Sequence, residues 1–127
     1  MGRISKVLLV DDEPDIRRIG EISLRRVGGW DVAMAGSGAE AILLAPVYRP
    51  DLILLDVMMP GMDGPQTFAK LRELPELAGV PVIFVTAKVQ RDDVARLRAL
   101  GAIGVVSKPF DPMALPAELR RIVGETP

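Results

Sequence analysis

Short unbroken apolar runs alternate along this chain with longer stretches in which apolar residues recur every three or four positions. Lys6-Val7-Leu8-Leu9-Val10 is the first run, and Leu52-Ile53-Leu54-Leu55 is the clearest, with no polar alternation at all. Such runs mark strands buried on both faces, as in the middle of a parallel sheet covered by helices. Residues 31–35, 80–85 and 104–107 read as three further strands. The stretches between them carry helical patterns. Pro14 suits a first helical turn, and Ile16, Ile19, Ile22, Leu24 and Val27 follow as an apolar stripe, with Arg17, Arg18, Arg25 and Arg26 mostly on the other side, until Gly28-Gly29. Ser37 reads as the N-cap of a second helix through Ala39, Ala41, Leu43 and Leu44, limited by Pro46. Asp63 reads as a turn residue and N-cap for a third helix that opens at Gly64-Pro65 and runs through Phe68 and Leu71. Residues 91–100 form a fourth helical pattern, stopped by Gly101. Asp111-Pro112 reads as the N-cap and first residue of the last helix, through Leu115, Leu119, Ile122 and Val123. Pro116 removes a backbone bond near that start, which predicts a local distortion or a later beginning.

Five βα units in succession predict an α/β fold, with a doubly wound five-stranded parallel sheet, right-handed crossovers and helices on both faces. No repeat, linker or low-complexity tract interrupts them, so residues 1–127 read as a single domain with a core at about residues 5–123.

Composition narrows the chemistry. Apolar residues make up 49% and aromatics only 4%, which suits an aliphatic core. Sixteen Lys and Arg nearly balance seventeen Asp and Glu, so no overall field favours nucleic acid or an anionic membrane, and neither is expected as a partner. The sequence has neither cysteine nor histidine. That excludes disulfides, thiolate metal sites, Cys nucleophiles, Ser-His-Asp triads and a phosphohistidine on this chain itself. Any metal must be held by oxygen, as Mg²⁺, Mn²⁺ or Ca²⁺ are. No apolar run approaches the roughly 20 residues of a membrane span, and no signal peptide precedes the first strand, so the expected location is the cytoplasm.

The reactive residues fall at the strand ends. Asp56 closes the third strand, just before Met58-Met59-Pro60-Gly61, and ligands of open α/β sheets bind beyond the carboxyl ends of the strands. Taken alone, Asp56 is equally a turn residue. Asp11 and Asp12 follow the first strand, Thr86 ends the fourth and Lys108 follows the fifth. Three converging carboxylates repel one another, and a divalent cation relieves that. A hydroxyl and an ammonium across from them would hold the oxygens of an anion at Asp56, and a phosphoryl group fits that description. Glu13 reads either as a neighbour of the metal or as an acid favouring the first helix N-terminus. The cluster Met58, Met59 and Met62 reads as loop packing, and the four arginines as a solvated helix face.

Jointly these residues resemble the response-regulator receiver domain of two-component signalling. The resemblance rests on Asp11-Asp12, the Leu55 to Gly64 segment around Asp56, Val85-Thr86-Ala87, Gly101-Ala102 and Lys108-Pro109-Phe110, in order along the whole chain. It implies a flavodoxin-like strand order 2-1-3-4-5 and a phosphorylation-dependent switch rather than an enzyme acting on outside substrates; with few residues after Val123, a stand-alone, chemotaxis-type regulator is expected unless the chain is a piece of a longer protein. By resemblance, Asp56 accepts a phosphoryl group from a histidine kinase or phosphotransfer protein. Asp12 holds Mg²⁺ (or Mn²⁺) directly and Asp11 holds it through water, joined by Asp56 and the Met58 backbone carbonyl. Thr86 bonds the phosphoryl group and moves toward it, Lys108 pairs with its oxygens, and the Lys108-Pro109 bond is cis. The output is a change of downstream protein partner. One position departs: Val105 stands where the family often has a Tyr or Phe that rotates inward, so a rotating-aromatic switch is unavailable there.

Two other classes compete. A haloacid-dehalogenase-type phosphatase also uses an aspartyl-phosphate, but it carries a second Asp two residues on, where this chain has Met58. A flavin module would need a phosphate loop after the first strand, where Asp11-Asp12-Glu13 would repel a phosphate.

Overall fold

The computed structural model describes residues 3–124. Strands β1 (Lys6–Val10), β2 (Asp31–Ala35), β3 (Leu52–Asp56), β4 (Val82–Thr86) and β5 (Gly104–Ser107) form one parallel sheet in the order β2-β1-β3-β4-β5. The expected flavodoxin-like order is therefore observed. Helices α1 (Pro14–Ile22), α2 (Gly38–Tyr48), α3 (Gly64–Arg72), α4 (Arg91–Ala99) and α5 (Leu115–Val123) connect and flank the strands.

Alternation along each strand divides the core into two layers. Leu8, Val10, Ile53, Leu55, Val82 and Phe84 face α2, α3 and α4, packing with Ala41, Ala45, Phe68, Leu71 and Leu97. Val7, Leu9, Leu52, Leu54, Ile83 and Val85 face the opposite side, against Leu24, Leu115, Leu119 and Val123. Every residue of β3 and β4 is buried, as unbroken apolar runs require of central strands.

Four local expectations are corrected. First, the fourth strand begins at Val82 rather than at residue 80, because Pro81 has no N–H to donate; its carbonyl still accepts from the Ile53 amide. Second, Pro46 does not end α2, which continues to Tyr48. The bond Pro46 cannot make lies in the last turns, and Arg49 closes the helix in a left-handed conformation (φ 57°) with its amide on the Ala45 carbonyl. Third, Asp111-Pro112 does not open the last helix, which starts at Leu115; this is the later beginning that Pro116 predicts, and it places Pro116 in the first turn, where a missing N–H costs nothing. Asp111 is no N-cap of that helix; its carboxylate accepts from the Met113 amide in the turn before it.

Fourth, the apolar stripe of the first helix is buried only in part. Leu24 is buried as expected and Ile16 is half-buried, but Ile19, Ile22 and Val27 are more than 40% exposed, and Gly20 and Ser23 face the sheet. A Cβ on Gly20 would lie 2.6 Å from the Leu9 side chain, so glycine lets the helix approach the sheet closely. Beyond Ile22 the helix widens into a π turn (Ser23–Val27), where the Ser23 hydroxyl donates to the Pro112 carbonyl. Helix α2 is apolar on nearly every side, and Leu43 and Val47 are about four-fifths exposed.

Candidate functional site

The parallel sheet brings the carboxyl ends of β1, β3, β4 and β5 to one edge, and Asp11, Asp12, Asp56, Thr86 and Lys108 all lie there. Asp11 extends the β1–β2 pairing, its amide on the Ala35 carbonyl, and one of its carboxylate oxygens accepts from the Glu13 amide at 2.9 Å. Asp56 is the last residue of β3, in register with Val85 of β4. Asp11 and Asp56 are almost wholly buried and Asp12 half-buried, and oxygens from all three carboxylates lie within 4.8 Å of one another.

Lys108 is drawn into this cluster. Its Nζ lies 3.1 Å from Asp11 Oδ2, 3.1 Å from Glu13 Oε1 and 3.4 Å from Asp56 Oδ2. The sequence reading set Lys108 across from the carboxylates, available to an anion; here it is their counter-charge. A lone ammonium beside three acids has no better partner. Glu13, ambiguous from sequence, is thereby a member of the site. It heads α1 but makes no side-chain cap, and it turns to Lys108 instead.

Thr86 is buried at the end of β4, and its Oγ1 accepts from the Lys88 amide at 3.1 Å. That leaves the hydroxyl proton available to donate. The Thr86 carbonyl accepts from the Lys108 amide at 2.9 Å, so the ends of β4 and β5 are tied together. The Lys108-Pro109 bond is cis, as expected. Val105 lies in register with Phe84 and packs into the core layer beneath α4.

The electrostatics are uneven. Burial pushes the Asp56 carboxyl up, the Asp11 charge adds to that, and Lys108 only partly offsets both, leaving it at about 6. Burial works against the Lys108 ammonium, but its bonds to Asp11 and Glu13 outweigh this and hold its pKa above the ordinary lysine value. The donor set is three hard carboxylate oxygens under mutual repulsion, which fits an oxygen-seeking divalent cation.

Past Asp56 the chain turns back into α3. Asp63 caps that helix as expected, in a reciprocal pair with Gln66. A Cβ on Gly64 would lie 2.4 Å from the Asp56 carbonyl oxygen, so only glycine lets α3 start against the end of β3. Of the methionines after Asp56, Met59 is buried in the core, as loop packing predicts, while the Met58 side chain is exposed. The reading of the arginines as a solvated face fails for Arg17. It is half-buried, and its Nη1 donates to the Asp11 carbonyl at 2.7 Å. Nothing in the helical pattern distinguished it from Arg18, which is exposed.

Comparison with known proteins agrees with this arrangement. A family model described as response regulator receiver domain matches residues 7–120. The DNA-binding response regulator MtrA of Mycolicibacterium smegmatis is 40% identical over 115 residues, 91% of this chain and 49% of that protein. The probable transcriptional regulatory protein TcrX of Mycobacterium tuberculosis is 40% identical over 126 residues, 98% of this chain and 52% of that protein. The chain thus spans about half the length of these curated relatives. Among solved structures, the chemotaxis response regulator CheY4 of Vibrio cholerae superposes with a TM-score of 0.87 at 32% identity, covering 94% of this chain and 99% of that one. Nothing in these matches supports the phosphatase alternative. The chain belongs to the response regulator receiver domain family.

Proposed function

We propose that Asp56 is the phosphoacceptor of this receiver domain, with a phosphohistidine on a histidine kinase or phosphotransfer protein as donor. The observation that carries the reading is the carboxylate itself: buried at the end of a central strand, pushed up to about 6, and beside a lysine. An Asp56 oxygen forms a bond to phosphorus as the P–N bond to the donor imidazole breaks. The imidazole leaves with the electron pair of that bond and takes up a proton. Asp11, Asp12, Asp56 and the Met58 backbone carbonyl would hold Mg²⁺, or Mn²⁺ in its place. The cation supplies charge neutralisation on the transferring phosphoryl oxygens and keeps Asp56 ionised for attack.

The chain's own groups do the rest. Thr86 donates its hydroxyl proton to a phosphoryl oxygen, for which its present bond to the Lys88 amide leaves it free. Lys108 exchanges its carboxylate partners for phosphoryl oxygens, and that exchange is the event the rest of the domain reads. The outcome is altered contact with a downstream protein, by a cytoplasmic switch that turns over no outside substrate. Among the described residues no helix is long and apolar enough to cross a membrane. The near-even charge supports a reading in which this domain's own surface makes no nucleic-acid contact.

Incubation with Mg²⁺ and acetyl phosphate, read by intact mass beside Asp56→Asn, tests the assignment. One phosphoryl group gained only with the cation and lost in the variant is the expected result. A gain that survives Asp56→Asn would move the acceptor elsewhere.

A further inference from the structure

Arg17 makes a contact that no role given so far explains. Besides the bonds of Lys108 to Asp11 and Glu13, three bonds hold the loop carrying Asp11, Asp12 and Glu13, each made by a different polar group of Asp11. The amide of Asp11 donates to Ala35, its carboxylate accepts from Glu13, and its carbonyl accepts from Arg17 Nη1 at 2.7 Å. That carbonyl belongs to the peptide joining Asp11 to Asp12. Its orientation therefore sets where the Asp12 side chain starts.

The guanidinium is seated as well as bonded. A Cβ on Gly36 would lie 3.1 Å from Arg17 Nη1 and 3.4 Å from its central carbon. Arg17 thus occupies the space a side chain at position 36 would fill, just past the end of β2. The Gly36 amide is itself held by Glu40 at 2.8 Å, so the seat is anchored on the far side. A cation placed early in a helix is disfavoured by the helix dipole, so this placement is not explained by helix electrostatics.

We propose that Arg17 is a positioning residue for the cation site: it fixes the peptide plane between Asp11 and Asp12 and so the mutual placement of the three carboxylates. The inference rests on the reading that those carboxylates hold Mg²⁺. Charge and positioning make opposite demands on Arg17. Removing a positive charge beside a cation site tightens Mg²⁺ binding if charge is all that matters. Removing a support of the ligands weakens it, by about tenfold for comparable supporting residues.

Calorimetric titration with Mg²⁺ of the wild type, Arg17→Met and Arg17→Lys separates these. Methionine keeps the stem and loses both charge and donor; lysine keeps both. The expected result is a Kd raised about tenfold in Arg17→Met and at least half recovered, on a logarithmic scale, in Arg17→Lys. An unchanged or tighter Kd in Arg17→Met overturns the proposal. Failure of the wild type to bind Mg²⁺ would instead overturn the cation reading beneath it. Gly36→Ala gives a second route should Arg17→Met not fold, since it presses on the guanidinium without touching any carboxylate. On its own it should weaken Mg²⁺ binding, and no change would sink the idea.

Discussion

Asp51 and Asp56 flank the same strand, and the fold treats their carboxylates in opposite ways. Asp51, at the amino end of β3, gathers three hydrogen bonds on one oxygen: the Ser5 amide at 2.9 Å, the Ser5 hydroxyl at 3.0 Å and the Lys6 amide at 2.9 Å. Partial burial works against its ionisation, but these bonds together outweigh it and hold the carboxyl below its ordinary value. Asp56, at the other end, is more deeply buried and faces the Asp11 charge. Lys108 donates to it from 3.4 Å, and its carboxyl is pushed up to about 6. A satisfied carboxylate is part of the scaffold, whereas one held against repulsion with few donors is available for a cation or a phosphoryl group. The sheet separates the two by placing backbone amides at one end of β3 and acids at the other.

The largest effects should come from removing the charges at the reactive end. Asp56→Asn should abolish phosphoryl incorporation, read by intact mass, while leaving the fold intact. Lys108→Ala should cost the metal-free protein about 3 kcal/mol, because Asp11 and Asp56 lose the cation that compensates them. Urea melts with and without Mg²⁺ check this. The cation should stabilise Lys108→Ala more than the wild type, since it alone then relieves the repulsion. Equal Mg²⁺ stabilisation of both proteins would mean the lysine and the cation do not share a task.

At the scaffold end the effect should be smaller and purely structural. Asp51→Ala strands two backbone amides and a hydroxyl, and should cost about 2 kcal/mol. Phosphorylation of the folded variant should match the wild type. A variant that keeps its stability but loses phosphorylation would contradict the division drawn between the two ends.

Asp51 and Asp56 look alike in the sequence: each is an Asp beside the same apolar run. What was legible was the run itself, because burial on both faces demands an unbroken apolar pattern, and from it came the five strands and the convergence of Asp11, Asp56, Thr86 and Lys108. What was hidden depends on contacts across long stretches of chain. The donors to Asp51 come from Ser5 and Lys6 where β1 begins, Glu13 shares Lys108 with Asp11 and Asp56, and the seat of Arg17 is Gly36. The first helix was misjudged for a related reason. Its pattern named the apolar stripe but could not show that Gly20 and Ser23 allow a closer approach to the sheet than isoleucine would.

The finest discrimination between the two carboxylates is the pH dependence of stability without metal. The folded value of Asp56, about 6, lies above the ordinary value of about 4. Between those limits the folded protein holds a proton that the unfolded chain has released. Stability from this group therefore falls as pH rises from about 4 to about 6, by roughly 3 kcal/mol in all. Asp51 works in the other direction: its depressed value contributes stability above about pH 4, lost only as pH falls further. Urea melts across this range should find Asp56→Asn matching the wild type near pH 4 and exceeding it increasingly up to pH 6, with no further change above. The gap between wild type and Asp51→Asn should stay constant over the same interval and close only in stronger acid. Saturating Mg²⁺ should erase the Asp56 slope, because a cation that favours the carboxylate removes the cost of ionising it. A difference between Asp56→Asn and wild type that is flat from pH 4 to 7 would mean that Asp56 titrates as an ordinary acid, and that Lys108 alone satisfies it.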